Sequence, residues 1–203
     1  MSKIVHIIDD DPVVCNSIRL LLEIEGIEAK TYFSAADFLS AIGPHDCGCV
    51  VTDVRLPGMS GVDLLALIAA RGLNFPVIVI TGQADVPLAV HAMKQGAVDF
   101  LEKPFGDAVL VASVRKALQR NFTAPGKDAA PHEVRARLAT LTSRERDVLE
   151  GLVVGKSNKS IANELGISFR TVEIYRANLM KKTQASSLPE LVRMAISVQD
   201  RLS

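Results

Sequence analysis

Asp53 stands at the end of an apolar run, Cys49-Val50-Val51, then Thr52, and just before a break at Leu56-Pro57-Gly58. Three further apolar runs also end in polar chemistry. Ile4-Val5-His6-Ile7-Ile8 ends in Asp9-Asp10-Asp11, Val77-Ile78-Val79-Ile80 in Thr81-Gly82, and Val98-Asp99-Phe100-Leu101 in Glu102-Lys103-Pro104. If the runs are strands of one parallel sheet, these ends share an edge, where open α/β sheets carry their ligand chemistry. Asp9, Asp10 and Asp53 would converge there. Three close carboxylates repel one another unless a cation compensates. Oxygen donors suit Mg²⁺, its octahedral shell finished by waters and by a backbone carbonyl that Arg55 is placed to give. Such an ion would screen an incoming phosphoryl group, with Asp53 as its nucleophile. Lys103 would pair with the phosphoryl oxygens, and the Thr81 hydroxyl would hydrogen-bond one of them. Helix capping and strand-end solvation explain any one of these acids, but not the ordered set.

The elements that must hold these residues alternate. A strand over Lys3–Ile8 precedes an amphipathic helix with Val14, Ile18, Leu21 and Leu22, which ends at Gly26. A strand over Ile27–Tyr32, a Ser34-capped helix over Ala35–Ile42 and the Asp53 strand follow. Helices over Gly61–Arg71, Val86–Lys94 and Gly106–Arg120 separate and close the Thr81 and Phe100 strands. The pattern predicts a doubly wound (βα)5 domain over residues 1–121. The small, Pro/Gly-punctuated stretch from Thr123 to Pro131 reads as a linker, 122–137, with Glu133–Thr140 able to form a short helix. Beyond it the strands vanish. Thr142-Ser143-Arg144-Glu145 is a capping box opening a helix to Val154. Ser157 caps Asn158–Leu165, Gly166 turns the chain, Ser168 caps Phe169–Thr183, and a last helix starts near Ser187, giving an all-α domain over 138–203.

The formal net charge is zero, but residues 1–124 hold 10 Lys+Arg against 14 Asp+Glu, and residues 135–203 hold 12 against 7. An acidic half that handles a cation and a basic half that meets a polyanion fit this split. Aromatics are only 4% and Trp is absent, which disfavours a stacking platform for single-stranded nucleic acid. Cys15, Cys47 and Cys49 are an odd count without zinc-ligand spacing, and His6, His45, His91 and His132 are scattered. No secretory signal or membrane-spanning run is evident, so a cytoplasmic protein with free thiols is expected, with no membrane partner.

In the basic half, Asn158–Leu165, Gly166 and Phe169–Thr183 have the shape of a helix-turn-helix. Val172, Tyr175 and Leu179 would pack inward, leaving Thr171, Glu173, Ile174, Ala177 and Asn178 outward. Lys156, Lys159, Arg170, Lys181 and Lys182 can reach phosphates. An outward Ile beside Thr and Ala suits thymine methyl contact, and Glu173 can accept from cytosine. A basic, solvated helix on a small bundle is the competing reading.

The segments Ile7-Ile8-Asp9-Asp10-Asp11, Asp53-Val54-Arg55-Leu56-Pro57-Gly58, Thr81-Gly82 and Lys103-Pro104-Phe105 resemble the signatures of a response-regulator receiver domain over residues 1 to about 120. The resemblance implies that Asp53 takes a phosphoryl group from a sensor histidine kinase, with Asp9 and Asp10 binding Mg²⁺ or Mn²⁺. It also implies a cis Lys103-Pro104 bond, and Thr81 with Phe100 as a switch pair. For Phe100 plain core packing remains open. Leu141-Thr142-Ser143-Arg144-Glu145-Arg146-Asp147-Val148-Leu149, Asn158-Lys159-Ser160-Ile161-Ala162 and Thr171-Val172-Glu173 resemble a LuxR-type DNA-binding domain, with Phe169 where many members carry Pro. Carried over by position, Glu173, Ile174 and Ala177 are base-reading candidates.

The domain order, with Gln83-Ala84-Asp85-Val86-Pro87 and Tyr175-Arg176-Ala177-Asn178, is similar to the NarL/FixJ family and its FixJ-type activators. That implies a transcription regulator rather than an enzyme. Phosphorylation would dimerise it through the helix 86–94 and strand 98–102 face, with Val90, Lys94 and Ala97 matching. Double-stranded promoter DNA and RNA polymerase are its expected partners. A haloacid-dehalogenase-type enzyme would need Asp at position 55, where Arg stands. A regulator that binds DNA without phosphorylation, its first domain only a dimer scaffold, is the other alternative.

Overall fold

The computed structural model describes residues 4–43, 46–82, 86–119, 131–185 and 187–199. His45, Gln83, Ala84 and the expected linker as far as residue 130 lie outside them. The chain divides into two compact units, Met1–Ala84 with Gln95–Thr123, and Asp85–Lys94 with Ala124–Ser203.

In the first unit, β1 (Ile4–Ile8), β2 (Ala29–Tyr32), β3 (Gly48–Asp53), β4 (Val77–Thr81) and β5 (Asp99–Glu102) form one sheet in the order β2-β1-β3-β4-β5. Every pairing is parallel. The order reverses between β1 and β3, the kind of switch point at which doubly wound sheets bind ligands. Strand residues alternate between faces. Val5, Ile7, Cys49, Val51, Ile78, Ile80 and Leu101 share one core with Cys15, Ile18 and Leu22 of α1 (Pro12–Ile24) and Leu110, Val114 and Ala117 of α5 (Asp107–Gln119). Helices α2 (Ala35–Ala41) and α3 (Gly61–Ala70) bury Phe38, Leu64, Leu65 and Ile68.

Several boundaries differ from the sequence reading, among them α2 ending at Ala41 rather than Ile42, α3 at Ala70 rather than Arg71, and β5 spanning Asp99–Glu102. β2 starts at Ala29 rather than Ile27, because the Ile27 amide donates to Leu22 O at 2.8 Å and closes α1, with Gly26 at φ +71°. α5 starts at Asp107 rather than Gly106. The helix expected at 133–140 is α6 (Pro131–Ala139). The Lys103-Pro104 bond is cis.

The second unit contains α4 (Val86–Lys94), α6, α7 (Ser143–Val154), α8 (Asn158–Leu165), α9 (Phe169–Thr183) and α10 (Leu188–Gln199). Its core joins Val134, Leu141, Val148, Leu149, Leu152, Ile161, Val172, Leu179 and Leu191, with Val86 of α4 packed against it. Sequence order places α4 in the βα series, whereas its contacts with α7 and α10 place it in this unit. The capping box is built as expected: Thr142 Oγ1 accepts the Glu145 amide at 3.3 Å, and Glu145 Oε2 accepts the Thr142 amide at 2.8 Å.

Candidate functional site

The strand ends deliver their polar residues to one edge. Asp9 follows β1 and is 2% exposed; Asp53 ends β3 and is 7% exposed. Their carboxylates share one cation. Lys103 Nζ lies 2.6 Å from Asp9 Oδ2 and 2.7 Å from Asp53 Oδ1. The Lys103 amide also donates to Thr81 O at 2.7 Å, which ties the loop after β5 to the end of β4. The remaining oxygens are partly engaged: Asp53 Oδ2 accepts the Arg55 amide at 2.6 Å, and Asp9 Oδ1 accepts the Asp11 amide at 3.0 Å. Burial pulls the Lys103 pKa down, but the hydrogen bonds and charges of Asp53 and Asp9 outweigh it, and the ammonium is held more firmly than in water.

Asp10 departs from the expected triad. Its side chain is exposed, and among the described residues no three acidic, His or Cys side chains cluster as a metal site. The ammonium of Lys103 stands between Asp9 and Asp53 and offsets one of their two charges, so a third carboxylate is not drawn in. Two buried carboxylates against one ammonium still leave net negative charge on an all-oxygen donor set, which fits a hard divalent cation.

Thr81 ends β4 and is buried. Val79 pairs with Phe100 and Thr81 with Glu102, so Thr81 and Phe100 point to the same face of the sheet, two positions apart. Phe100 is itself buried. Of the expected dimer residues, Val90 and Ala97 are buried and only Lys94 is exposed. Val90 lies on the α4 side that meets the turn at Gly155.

One positioning residue escaped the sequence reading. The Gly61 amide donates to Val54 O at 2.9 Å, which sets the start of α3 directly on the end of β3. A Cβ on Gly61 would overlap the Asp53 carbonyl oxygen. The break after Asp53 followed by Ser60-Gly61 was its only sequence signal.

In the second unit, Gly166 adopts φ +65° between α8 and α9, and Ser168 Oγ accepts the Thr171 amide at 3.0 Å. Arg176 Nη1 donates to Asn158 Oδ1 at 3.0 Å, joining the two helices. Lys159, Arg170, Glu173, Ile174, Ala177, Asn178 and Lys181 are exposed as expected. Three others are already engaged. The Thr171 hydroxyl pairs with Ser168 Oγ at 2.8 Å and is half-buried, so it belongs to the helix cap. Lys156 Nζ meets Glu164 at 2.6 Å, and Lys182 Nζ meets the buried Glu145 at 2.7 Å.

A family profile for the response regulator receiver domain matches residues 5–115, and one for bacterial regulatory proteins of the luxR family matches residues 139–195. The transcriptional regulatory protein FixJ of Azorhizobium caulinodans is 57% identical over 192 residues, 95% of this chain and 91% of that one.

The chain belongs to the FixJ family of response regulators.

The FixJ of Bradyrhizobium diazoefficiens is 48% identical over 192 residues, 95% of this chain and 94% of its own. The crystal structure of full-length FixJ from B. japonicum matches with TM-score 0.57 and 46% identity, covering 98% of this chain and 99% of that one. This FixJ-family chain is a transcription regulator with a receiver and a LuxR-type DNA-binding domain, which implies a kinase and DNA as its partners. It is not an enzyme beyond the receiver's own phosphoryl chemistry, which rules out the dehalogenase reading. Receiver domains generally bind Mg²⁺ for that chemistry. Among the described residues, no helix is long and apolar enough to cross a membrane.

Proposed function

We propose that Asp53 is the phosphoacceptor of a two-component switch and that its phosphorylation makes the protein bind promoter DNA and activate transcription. The observation that carries this reading is the Lys103 ammonium shared between buried Asp53 and Asp9. A carboxylate oxygen of Asp53 attacks the phosphorus of a phosphohistidine on the sensor kinase. The new P–O bond forms as the P–N bond breaks, and the departing imidazole takes up a proton. Lys103 then moves its charge from the Asp53 carboxylate to the phosphoryl oxygens, and the Thr81 hydroxyl hydrogen-bonds one of them.

Asp9, Asp10, Asp53 and the backbone carbonyl of Arg55 would hold Mg²⁺ or Mn²⁺, Asp10 joining by a side-chain rotation. When bound, the ion screens charge on the phosphoryl oxygens. Asp9 keeps Lys103 aimed at the reacting edge throughout.

Thr81 and Phe100 carry the change outward along the sheet face they share. Dimerisation through Val90, Lys94 and Ala97 is coupled to release of α4 from α7 and α10, because Val90 is buried on the α4 side that meets the Gly155 turn. Dimerisation sets two α9 helices about one DNA turn, roughly 34 Å, apart and raises affinity by effective concentration. Lys159, Arg170 and Lys181 then contact phosphates, while Glu173, Ile174, Ala177 and Asn178 face base edges. Such a regulator works in the cytoplasm, where it meets the kinase, DNA and RNA polymerase.

The test is molecular mass in solution, with Mg²⁺, before and after adding beryllofluoride. A monomer that becomes a dimer, and fails to do so in Asp53→Asn, supports the switch. An unchanged mass rejects phosphorylation-driven dimerisation.

A further inference from the structure

We propose that Phe169 is a specificity-determining residue whose ring reads the methyl group of a thymine in the DNA half-site. The inference rests on α9 being the helix that enters the major groove. Phe169 is the first residue of α9 and is 50% exposed; Ile174, on the same helix, is 54% exposed.

Helix formation does not ask for Phe here. Aromatic residues are middling helix formers, and the first helical position favours Pro. The cap is complete without the ring, because Ser168 Oγ accepts the Thr171 amide. The buried side of α9 is made by Val172, Leu179 and Thr183. Phe169 therefore leaves half of its surface in water and lies outside the apolar core of this unit.

Its placement suits a reader. Side chains four residues apart share a helix face, so Phe169 stands one turn before Glu173 and two before Ala177. Helical side chains lean toward the N-terminus, which carries the ring past the start of the helix and further along the groove than Glu173. A ring without donor or acceptor cannot read hydrogen-bonding edges. The apolar feature of the major groove is the thymine methyl, a known contact for Phe. Its helix neighbours Arg170 and Glu173 are exposed and charged, unlike the contiguous apolar patch a protein partner needs.

The test uses the full chain, activated with beryllofluoride and Mg²⁺. Preferred duplexes are selected from a random pool, and each thymine is then replaced singly by deoxyuridine, which lacks only the methyl. Wild type should lose about fourfold in affinity, the worth of one buried methyl, at a thymine distinct from the one sensed by Ile174. Phe169→Ala should bind the thymine and deoxyuridine duplexes equally at that position and keep its sensitivity elsewhere. Phe169→Pro should behave alike, since Ser168 already has the extended φ −75°, ψ 154° that precedes proline. It separates loss of the ring from damage to the helix. If both variants keep the wild-type pattern of methyl dependence, the proposal falls, while α9 as reader survives provided Arg170→Ala flattens the salt dependence. If Arg170→Ala and Ile174→Ala also change nothing, α9 is not the reading helix and both ideas fall.

Discussion

Lys103 Nζ lies 2.7 Å from Asp53 Oδ1, and its other carboxylate partner, Asp9, holds it there from 2.6 Å away. Two acids share one ammonium, and that imbalance separates the effects of removing each partner. Asp53→Asn leaves a matched Asp9–Lys103 pair and should melt no lower than wild type while losing phosphoryl acceptance. Lys103→Ala leaves two buried carboxylates unpaired and should cost about 2 kcal/mol, discounted from a fully buried pair because Lys103 is partly exposed. Thermal melts of both variants check this; a Lys103→Ala variant as stable as wild type would break the argument.

The Gly61 approach predicts a positional defect. Gly61→Ala forces α3 away from the Asp53 carbonyl. Asp53 remains in the chain but misplaced, and a displacement of about 1 Å can cost 10²-fold. The rate of labelling by a small phosphodonor should fall by about that factor while the circular dichroism spectrum is kept. A wild-type rate would show that α3 can start elsewhere.

His6 predicts a pH dependence of stability. It is buried among Tyr32, Phe38 and Phe75, its Nδ1 lies 3.1 Å from the Tyr32 hydroxyl, and among the described residues its Nε2 is a buried side-chain atom with no hydrogen-bond partner. Burial lowers its pKa from 6.5 to about 4, with Asp46 raising it and Lys30 lowering it further. Between those values the unfolded chain binds the proton and the folded one does not. Stability is therefore complete above pH 6.5 and declines as pH falls through the window, by about 3 kcal/mol once the folded imidazole is protonated below pH 4. His6→Leu should flatten this slope in melts across the window. An unchanged slope would assign the loss to other groups.

The basic residues divide by partner. Arg170, Lys159 and Lys181 are exposed, whereas Lys182 clamps Glu145. Replacing any of the first three by Ala should reduce the salt slope of DNA binding by about 1. Lys182→Ala should leave that slope alone and destabilise the fold by about 1 kcal/mol, since Glu145 loses a charged partner. Salt titrations and melts on the four variants separate the two roles.

The strand-end chemistry was legible because it is local: each apolar run carries its own polar terminus, and a parallel sheet gathers the termini on one edge. The helix caps were legible for the same reason, as in Thr142 with Glu145. The pairings were not. Nothing near Lys103 says that it joins Asp9, 94 positions away, rather than leaving Asp10 in the cluster, and Lys182 reaches Glu145 across 37 positions. The late start of β2 comes from the Ile27 amide closing α1. Sequence order put α4 in the βα series, but the helices it packs against, α7 and α10, lie far along the chain.

The most direct measurement is intact-mass spectrometry after incubation with a small phosphodonor and Mg²⁺, on wild type and Asp53→Asn. One added phosphoryl group on wild type and none on Asp53→Asn is the predicted result. Labelling that persists in Asp53→Asn, or wild type that takes no phosphoryl group, would contradict the assignment of Asp53 as acceptor.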